Sequence, residues 1–157
     1  MIVGVGFDLE DLEDFGRTLD QSGEAFLNRV YTEREMEYCR SQPHARQSYA
    51  ARYCAKEAAM KALGIAGMEG LKWRDVEIVS TSSGAPQLLV SGVAAVAAKR
   101  LRVRRLLVAL SHSRAAAGAV VIAEGETRVK GHQRDPRKSS KTHPAKLGSA
   151  SNKRVAS

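Results

Sequence analysis

Aromatic residues and cysteines are scarce in this chain of 157 residues, which has one Trp, three Phe, four Tyr and two Cys. A core with so few aromatic rings must be mainly aliphatic and rich in alanine, with closely packed helices. Cys39 and Cys54 lie in predicted helices and form no C-x-x-C or Cys/His cluster. We therefore expect two buried free thiols rather than a disulfide or a zinc site. The length fits one domain whose hydrophobic core is large enough to be stable without disulfide bonds.

Long apolar runs are also missing. Residues 1–6 are too few for a signal peptide and lack its basic flank, and no later run reaches the length of a membrane span. We therefore expect a soluble, cytoplasmic protein with no membrane partner. The sequence contains no P-loop, no G-x-G-x-x-G and no G-x-S-x-G elbow, which excludes the common phosphate-binding loops and α/β-hydrolase chemistry.

The net charge of +8 belongs to one end of the chain. Residues 126–157 contain nine Lys/Arg and two Asp/Glu, which leaves 16 of the 25 basic and 15 of the 17 acidic residues for 1–125. Because the tail has almost no apolar content, we predict a folded domain over 1–125 and a disordered tail over 126–157. No aromatic residue is interleaved with the basic ones, so a solvated tail is favoured over a nucleic-acid partner.

Helical patterns fill the first half of the chain. A capping box from Thr32 to Glu35 begins one helix, and Gly64 ends the longest one. The helix that follows the first strand has a strongly acidic outer face. The predicted helices are 10–19, 24–31, 32–41, 45 or 48 to 63, and 93–101.

Strand patterns dominate the second half. Turn residues at 82–86 separate two alternating segments and predict a β-hairpin. The segment 105–113 has the pattern of a buried strand, and the last strand is expected to pair with it in antiparallel fashion. The predicted strands are 2–9, 76–79, 87–90, 105–113 and 115–123. This order predicts an α+β fold in which a mainly antiparallel sheet packs against a long central helix.

Two acidic sites stand out in the apolar body. Asp8 lies at the end of the first strand, where a buried carboxylate is costly unless it is paired, hydrogen-bonded or bound to a cation. The alternative is that Asp8 caps the next helix. Glu57 and Lys61 lie one turn apart on one face of the longest helix, and this spacing alone favours an ion pair on the helix surface.

A third polar site is the segment Ser111-His112-Ser113 at a strand end, which offers hydroxyls and an imidazole for phosphate or base contacts. We do not interpret it as a hydrolase triad, because adjacent residues face opposite sides of a strand. If Asp8 and Glu57 converge, they could hold Mg²⁺, which favours one or two carboxylates with water and phosphate oxygens. Lys61 would then meet the phosphate as a point charge.

Four segments in order resemble the holo-[acyl-carrier-protein] synthase family, the small stand-alone 4′-phosphopantetheinyl transferases. The resemblance covers residues 1 to about 124, and the combination is more specific than any single segment. The segments are GVGFDL at 4–9, ARYCAKEA at 51–58, GAP at 84–86 and LSHS at 110–113.

The resemblance implies a 4′-phosphopantetheinyl transferase-like fold and transfer of 4′-phosphopantetheine from coenzyme A to a serine of apo-acyl carrier protein, releasing adenosine 3′,5′-bisphosphate. It also implies a homotrimer with sites between subunits. Asp8, Glu57 and Lys61 would be the catalytic residues. The implied contacts are Mg²⁺ for Asp8 and Glu57, the phosphates of coenzyme A for Lys61, and its nucleotide end for His112, Ser113 and Arg52.

Two features depart from the family pattern. The first helix, where the family usually has basic residues that dock the acidic carrier protein, carries several acidic residues and only one basic residue, Arg17. The tail at 126–157 is an addition, and we expect it to attract an acidic carrier protein over long range. The alternatives are a non-catalytic module that binds coenzyme A or nucleic acid, and an Mg²⁺-dependent nucleotide hydrolase.

Overall fold

The computed structural model describes residues 1–126, in which helices and antiparallel strands form the predicted α+β fold. No helix in this range is long and apolar enough to cross a membrane. The disorder predicted for the tail falls on residues outside the described range, apart from residue 126. The elements are β1 (Ile2–Asp11), α1 (Leu12–Val30), α2 (Glu33–Ser41), α3 (Ala45–Leu63), a 3-10 turn (Trp73–Asp75), β2 (Val76–Ser80), β3 (Pro86–Val90), α4 (Gly92–Arg100), β4 (Val103–His112) and β5 (Ala116–Gly125).

The larger sheet has three antiparallel strands in the order β1-β5-β4, and β2 and β3 form a separate hairpin. Asp8 of β1 lies opposite Ala119 of the central strand, which in turn lies opposite Leu110 of β4. Helix α3 packs against β1 and β5. Because side chains alternate along a strand, one face of the sheet meets this helix and the other does not.

Two glycines allow α3 to lie directly against β1. A Cβ added at Gly4 would overlap the carbonyl oxygen of Ala62, and one added at Gly6 would overlap that of Ala58. Both alanines are buried. The missing side chains therefore let the backbone of the helix approach the backbone of the strand. This approach brings the candidate residues of α3 to the strand that carries Asp8.

The boundary between β1 and α1 differs from the prediction. The strand continues through Asp11, so Asp8 lies within it rather than at its end. The helix begins at Leu12, and Asp11 is the capping residue, because its Oδ1 accepts hydrogen bonds from the backbone N–H groups of Glu13 and Asp14 at 2.8 and 3.1 Å. The predicted break appears at Gly23, whose φ of 50° lies outside the helical region within α1.

The prediction that 105–113 is a buried strand is wrong. β4 is an edge strand, and alternate side chains on it are exposed because no element of the described chain covers that side of the sheet. We call this side the far face; exposed fractions are 59% for Val5, 59% for Phe7, 61% for Leu9 and 38% for Leu107. A single chain therefore exposes a continuous apolar surface, which is typical of an interaction site.

Several local predictions are confirmed. The capping box of Thr32 and Glu35 is present at the start of α2. Gly64 ends α3 in the left-handed conformation, with φ of 66°. The β2–β3 hairpin forms, and Cys39 and Cys54 are buried free thiols.

Candidate active site

Asp8 has one oxygen that is paired and one that is not. Its side chain is only 12% exposed, on the helix-facing side of β1. Oδ1 accepts a hydrogen bond from Nζ of Lys61 at 2.7 Å. Oδ2 is buried and has no hydrogen-bond partner among residues 1–126. A buried carboxylate oxygen without a donor is costly, so this atom indicates a place for a cation or a donor from another molecule.

Lys61 pairs with β1 rather than with its neighbour on the helix. Its Nζ also donates to the carbonyl oxygen of Phe7 at 3.2 Å. The expected surface pair between Glu57 and Lys61 is absent among the ion pairs of the described residues, because this face of α3 meets a strand instead of solvent. The hydrogen bond with Asp8 raises the pKa of Lys61. At 44% exposure, the Lys61 side chain remains accessible.

Glu57 lies close enough to Asp8 for the two carboxylates to repel each other. Burial, and then this repulsion, raise the pKa of Glu57, while Lys61 lowers it. The carboxylate of Asp8 on β1 and that of Glu57 on α3 therefore interact electrostatically.

Glu10 is a third carboxylate of this region, although its sequence context predicted a place on the acidic face of the first helix. It lies in β1 two residues after Asp8, and residues with this spacing share one side of a strand. Burial raises the pKa of Glu10, with further contributions from Asp8 and Glu57. The D-x-E spacing was a usable signal, but it was hidden because the strand was predicted to end too early.

The donor set suits a hard cation. No group of three or more His, Cys, Asp and Glu residues with metal-binding geometry occurs in the described part of the chain. Asp8 and Glu57 therefore offer oxygen ligands for part of a coordination shell only. Mg²⁺ is commonly bound in this way, by one or two carboxylates with water and substrate phosphates. The unpartnered Oδ2 of Asp8 fits such an ion.

An apolar slot opens beside Glu57. Trp73 forms one wall and stacks on Tyr53, with 4.8 Å between ring centroids and 24° between planes. Burial, and then the charge of Glu57, raise the pKa of Tyr53 to about 12. Trp73 was not predictable as a site residue, since nothing in its local sequence pattern places it beside α3. The slot has a volume of about 270 Å³ and is lined by Glu57, Met60, Ala66, Gly67, Met68, Leu71 and Trp73.

His112 and Ser113 lie elsewhere in the same chain. His112 lines a groove of about 410 Å³ on the far face, together with Phe7 and Leu9. The Ser113 hydroxyl oxygen accepts hydrogen bonds from the backbone N–H groups of residues 115 and 116, which closes the β4–β5 turn. Neither residue forms a hydrogen bond or ion pair with Asp8, Glu57 or Lys61 within residues 1–126. The structure therefore does not join them to the carboxylate cluster.

Arg52 lies on another side of α3 from Glu57 and is only 5% exposed. Its guanidinium carbon lies 3.9 Å from the centre of the Tyr38 ring, and its buried Nε has no hydrogen-bond partner among the described residues. No carboxylate of residues 1–126 forms an ion pair with it. It borders a cavity of about 300 Å³ lined by Arg34, Tyr38, Arg52, Ile78, Val79 and Ser80. Two arginines and no acidic residue make this cavity suitable for an anion.

An antiparallel α+β fold with two carboxylates and a lysine close together can be compared with known families. Residues 4–119 match the family model of the 4′-phosphopantetheinyl transferase superfamily, and the chain belongs to this superfamily. Within it, the chain is similar to the holo-[acyl-carrier-protein] synthase of Solibacter usitatus. The two are 39% identical over 124 residues, which cover 79% of this chain and 99% of the relative.

Solved structures agree with this assignment. The holo-[acyl-carrier-protein] synthase of Neisseria meningitidis has a TM-score of 0.71 and 27% identity, with 79% of this chain and 99% of that chain covered. The holo-(acyl-carrier-protein) synthase of Bacillus anthracis was solved in complex with CoA (3′,5′-ADP). Its TM-score is 0.65 and its identity 28%, with 80% of this chain and 99% of that chain covered. These similarities support the fold over nearly the whole described range.

Proposed function

We propose that this chain transfers 4′-phosphopantetheine from coenzyme A to a serine of apo-acyl carrier protein and releases adenosine 3′,5′-bisphosphate. The observation that carries the proposal is the meeting of Asp8, Glu57 and Lys61, with one Asp8 oxygen that is buried and has no partner in the described part of the chain. The 39% identity to a relative named holo-[acyl-carrier-protein] synthase supports the same reaction. In the transfer, the serine oxygen bonds to the pantetheine phosphorus and the pyrophosphate P–O bond breaks.

Asp8 and Glu57 would hold Mg²⁺, with the remaining ligands supplied by water and by phosphate oxygens of coenzyme A. When bound, the ion would supply neutralising charge to the phosphates, which is the main requirement of phosphoryl-type transfer. Glu57 has a raised pKa and is a candidate acceptor for the serine proton. A metal-bound water is the other candidate.

Lys61 would contact the phosphates. Its ammonium group neutralises Asp8 in the absence of other ligands and remains partly exposed. A cation on Asp8 would release this group toward an incoming phosphate oxygen. There it would stabilise the charge that develops on the leaving nucleotide.

The nucleotide end of coenzyme A would meet Arg52, His112 and Ser113. Because these residues lie away from Asp8 in one chain, we propose that they serve the carboxylate cluster of a neighbouring subunit in a homotrimer. The far face is the proposed contact surface, since three of its β1 side chains are about 60% exposed and apolar patches of this kind mark protein contacts. The buried guanidinium of Arg52, which pairs with no carboxylate of residues 1–126, supports its role as a phosphate ligand.

Mass spectrometry of apo-acyl carrier protein after incubation with coenzyme A, Mg²⁺ and this protein tests the reaction. We expect the carrier serine to gain the phosphopantetheinyl group and adenosine 3′,5′-bisphosphate to appear in equal amount. Nucleotide cleavage with an unmodified carrier would instead identify a hydrolase. Binding of coenzyme A without any product would identify a non-catalytic module.

Subunit mixing tests the shared site. Asp8→Asn and Arg52→Met each remove a different half of the proposed site, so each variant alone should be inactive. Hybrid trimers should regain part of the activity, because some interfaces combine an intact cluster with an intact Arg52 cavity. Native mass spectrometry verifies that hybrids form. Inactive hybrids, or a monomer at assay concentration, would contradict a site shared between subunits.

A further inference from the structure

A charged pair is fully buried directly behind the candidate active site. Nζ of Lys56 lies 2.9 Å from Oε2 of Glu35, and both side chains are 0% exposed. Lys56 also donates to the carbonyl oxygens of Trp73, at 3.3 Å, and Val76. The three donors of this ammonium group thus have three acceptors, and the pair links α2, α3 and the segment that leads into β2.

Both carboxylate oxygens of Glu35 also accept hydrogen bonds from backbone N–H groups. Its Oε2 accepts from the backbone N–H of Thr32 at 2.9 Å, and its Oε1 accepts from that of Ile78 at 3.0 Å. Burial of two charges is costly, and an apolar pair of similar volume would often serve stability as well or better. What the pair does provide is a set of fixed contacts that join α2, α3 and the stretch from Trp73 to Ile78.

The position of Lys56 connects this network to the site. Lys56 precedes Glu57, so the two side chains leave α3 in directions about 100° apart. Lys56 anchors one side of the helix, and the adjacent Glu57 lies on the side that interacts with Asp8 of β1. The bond of Lys56 to the Trp73 carbonyl also holds the residue whose indole ring stacks on Tyr53 and lines the slot beside Glu57.

We propose that the Glu35–Lys56 pair is a positioning device that fixes the direction of Glu57 and the Trp73 wall of the slot, without touching the substrate. The proposal rests on the proposed function, because the slot and Glu57 matter only if they belong to the active site. Trp73 is the chain's only tryptophan, so its fluorescence reports directly on this wall whether or not the protein is active.

The main test compares wild type with the double variant Glu35→Gln/Lys56→Met, which removes both charges and keeps similar volumes. We expect a folded protein with red-shifted Trp73 emission, stronger acrylamide quenching and weaker Mg²⁺ binding. We also expect kcat to fall by about 10²-fold, the typical effect of a small misplacement, with KM for carrier protein unchanged. A folded double variant with wild-type emission and wild-type kcat would overturn the proposal.

Two further variants complete the design. Glu24→Gln/Arg40→Met removes an exposed ion pair, whose atoms lie 3.1 Å apart, and should change none of these properties.

If the double variant does not fold, Lys56→Arg tests the positioning role instead, because it keeps the charge but changes the donor geometry. It should show the Trp73 shift and a lower kcat, and wild-type values for both would refute the positioning role. A wild-type protein without transfer activity would refute the proposed function, while Trp73 emission and Mg²⁺ affinity would still test the positioning role.

Discussion

At the scale of single residues, the two oxygens of Asp8 have different environments. Oδ1 is held by Lys61, and Oδ2 is buried without a hydrogen-bond partner among residues 1–126. Lys61 thus provides positive charge that offsets the repulsion between Asp8 and Glu57. Because its side chain is partly exposed, its ammonium group can also contact a ligand. Lys61 and a metal ion are therefore expected to compete for Asp8 before substrate arrives and to act together afterwards.

Lys61→Met separates these two roles. Loss of the ammonium group removes a competitor for Asp8, so Mg²⁺ should bind as tightly as in wild type or more tightly. The same loss removes charge stabilisation at the phosphates, so kcat should fall by about 10²–10³-fold. Calorimetric Mg²⁺ titration and initial rates measure the two effects. If Mg²⁺ affinity falls together with kcat, Lys61 instead holds Asp8 in place for the metal.

Glu57 should make the metal-free protein less stable as the pH rises. Its pKa is raised above the ordinary 4.5, so the folded chain binds this proton more tightly than the unfolded chain. Its contribution to stability is complete below 4.5 and is lost as the pH passes from 4.5 through the raised pKa. The Glu57→Gln variant has no carboxyl group to ionise at this position. Above that pH interval and without metal, it should therefore have a higher Tm than wild type.

Scanning calorimetry across this pH range, with EDTA and then with Mg²⁺, measures the difference. The gain in Tm should shrink at acid pH, and Mg²⁺ should reduce it by stabilising wild type alone. Glu37→Gln removes an exposed carboxylate from α2 and serves as the control. A Tm gain for Glu57→Gln that is the same at every pH would contradict the assigned cause.

At the scale of elements, the contact between β1 and α3 assembles the site. Gly6→Ala places a methyl group against the carbonyl of Ala58, a backbone atom that cannot turn away. We expect a stability loss of about 1–3 kcal/mol from overpacking, together with weaker Mg²⁺ binding as Glu57 moves from Asp8. Denaturant unfolding and calorimetry measure these two effects.

Gly16→Ala is the matched control for this substitution. There the atoms nearest to the added methyl group belong to the flexible Arg46 side chain, and alanine favours the helix by up to about 1 kcal/mol. Stability and Mg²⁺ binding should be maintained in this variant. Equal losses in both variants would show that α3 does not depend on the close approach at β1.

Some features of the fold could be predicted from the sequence, and others could not. Capping at Thr32, the left-handed end at Gly64 and the β2–β3 turn depend on neighbouring residues, and all three were predictable. The exposure of the far face was not predictable, because an apolar strand that one chain leaves exposed and a strand buried in its own chain have the same apolar pattern. The role of Trp73 and the Glu35–Lys56 pair depend on contacts between segments distant in sequence, which no local pattern encodes.

At the scale of the whole molecule, the candidate residues fall into separate regions. Asp8, Glu57 and Lys61 form one cluster, His112 lies in the groove of the far face, and Arg52 borders its own cavity. In the homotrimer proposed above, a neighbouring subunit would bring the regions that one chain keeps apart to the same coenzyme A molecule. The apolar far face and the divided site therefore lead to the same proposal of a shared active site.

The basic tail and the acidic first helix both concern how the whole chain would attract an acidic carrier protein. Arg17, the helix's only basic residue near its N-terminus, already pairs with Glu13 at 2.7 Å and with Asp14. Deletion of 126–157 should raise KM for an acidic carrier protein by about 10-fold at low ionic strength, because long-range attraction is lost. The effect should vanish near 1 M salt, where the screening length is about 3 Å. An unchanged KM at low salt would exclude this role for the tail.

Formation of holo-acyl carrier protein by wild type, Asp8→Asn and Glu57→Gln tests the central claim most directly. Mass spectrometry of the carrier, with matched Mg²⁺ and EDTA samples, gives the yield for each protein, and circular dichroism verifies the folds. The account predicts modification by wild type only in Mg²⁺, and a loss of about 10²–10³-fold or more in each variant. Wild-type yield from either folded variant, or full activity in EDTA, would contradict the assignment of Asp8 and Glu57 as the metal-binding pair of the transfer reaction.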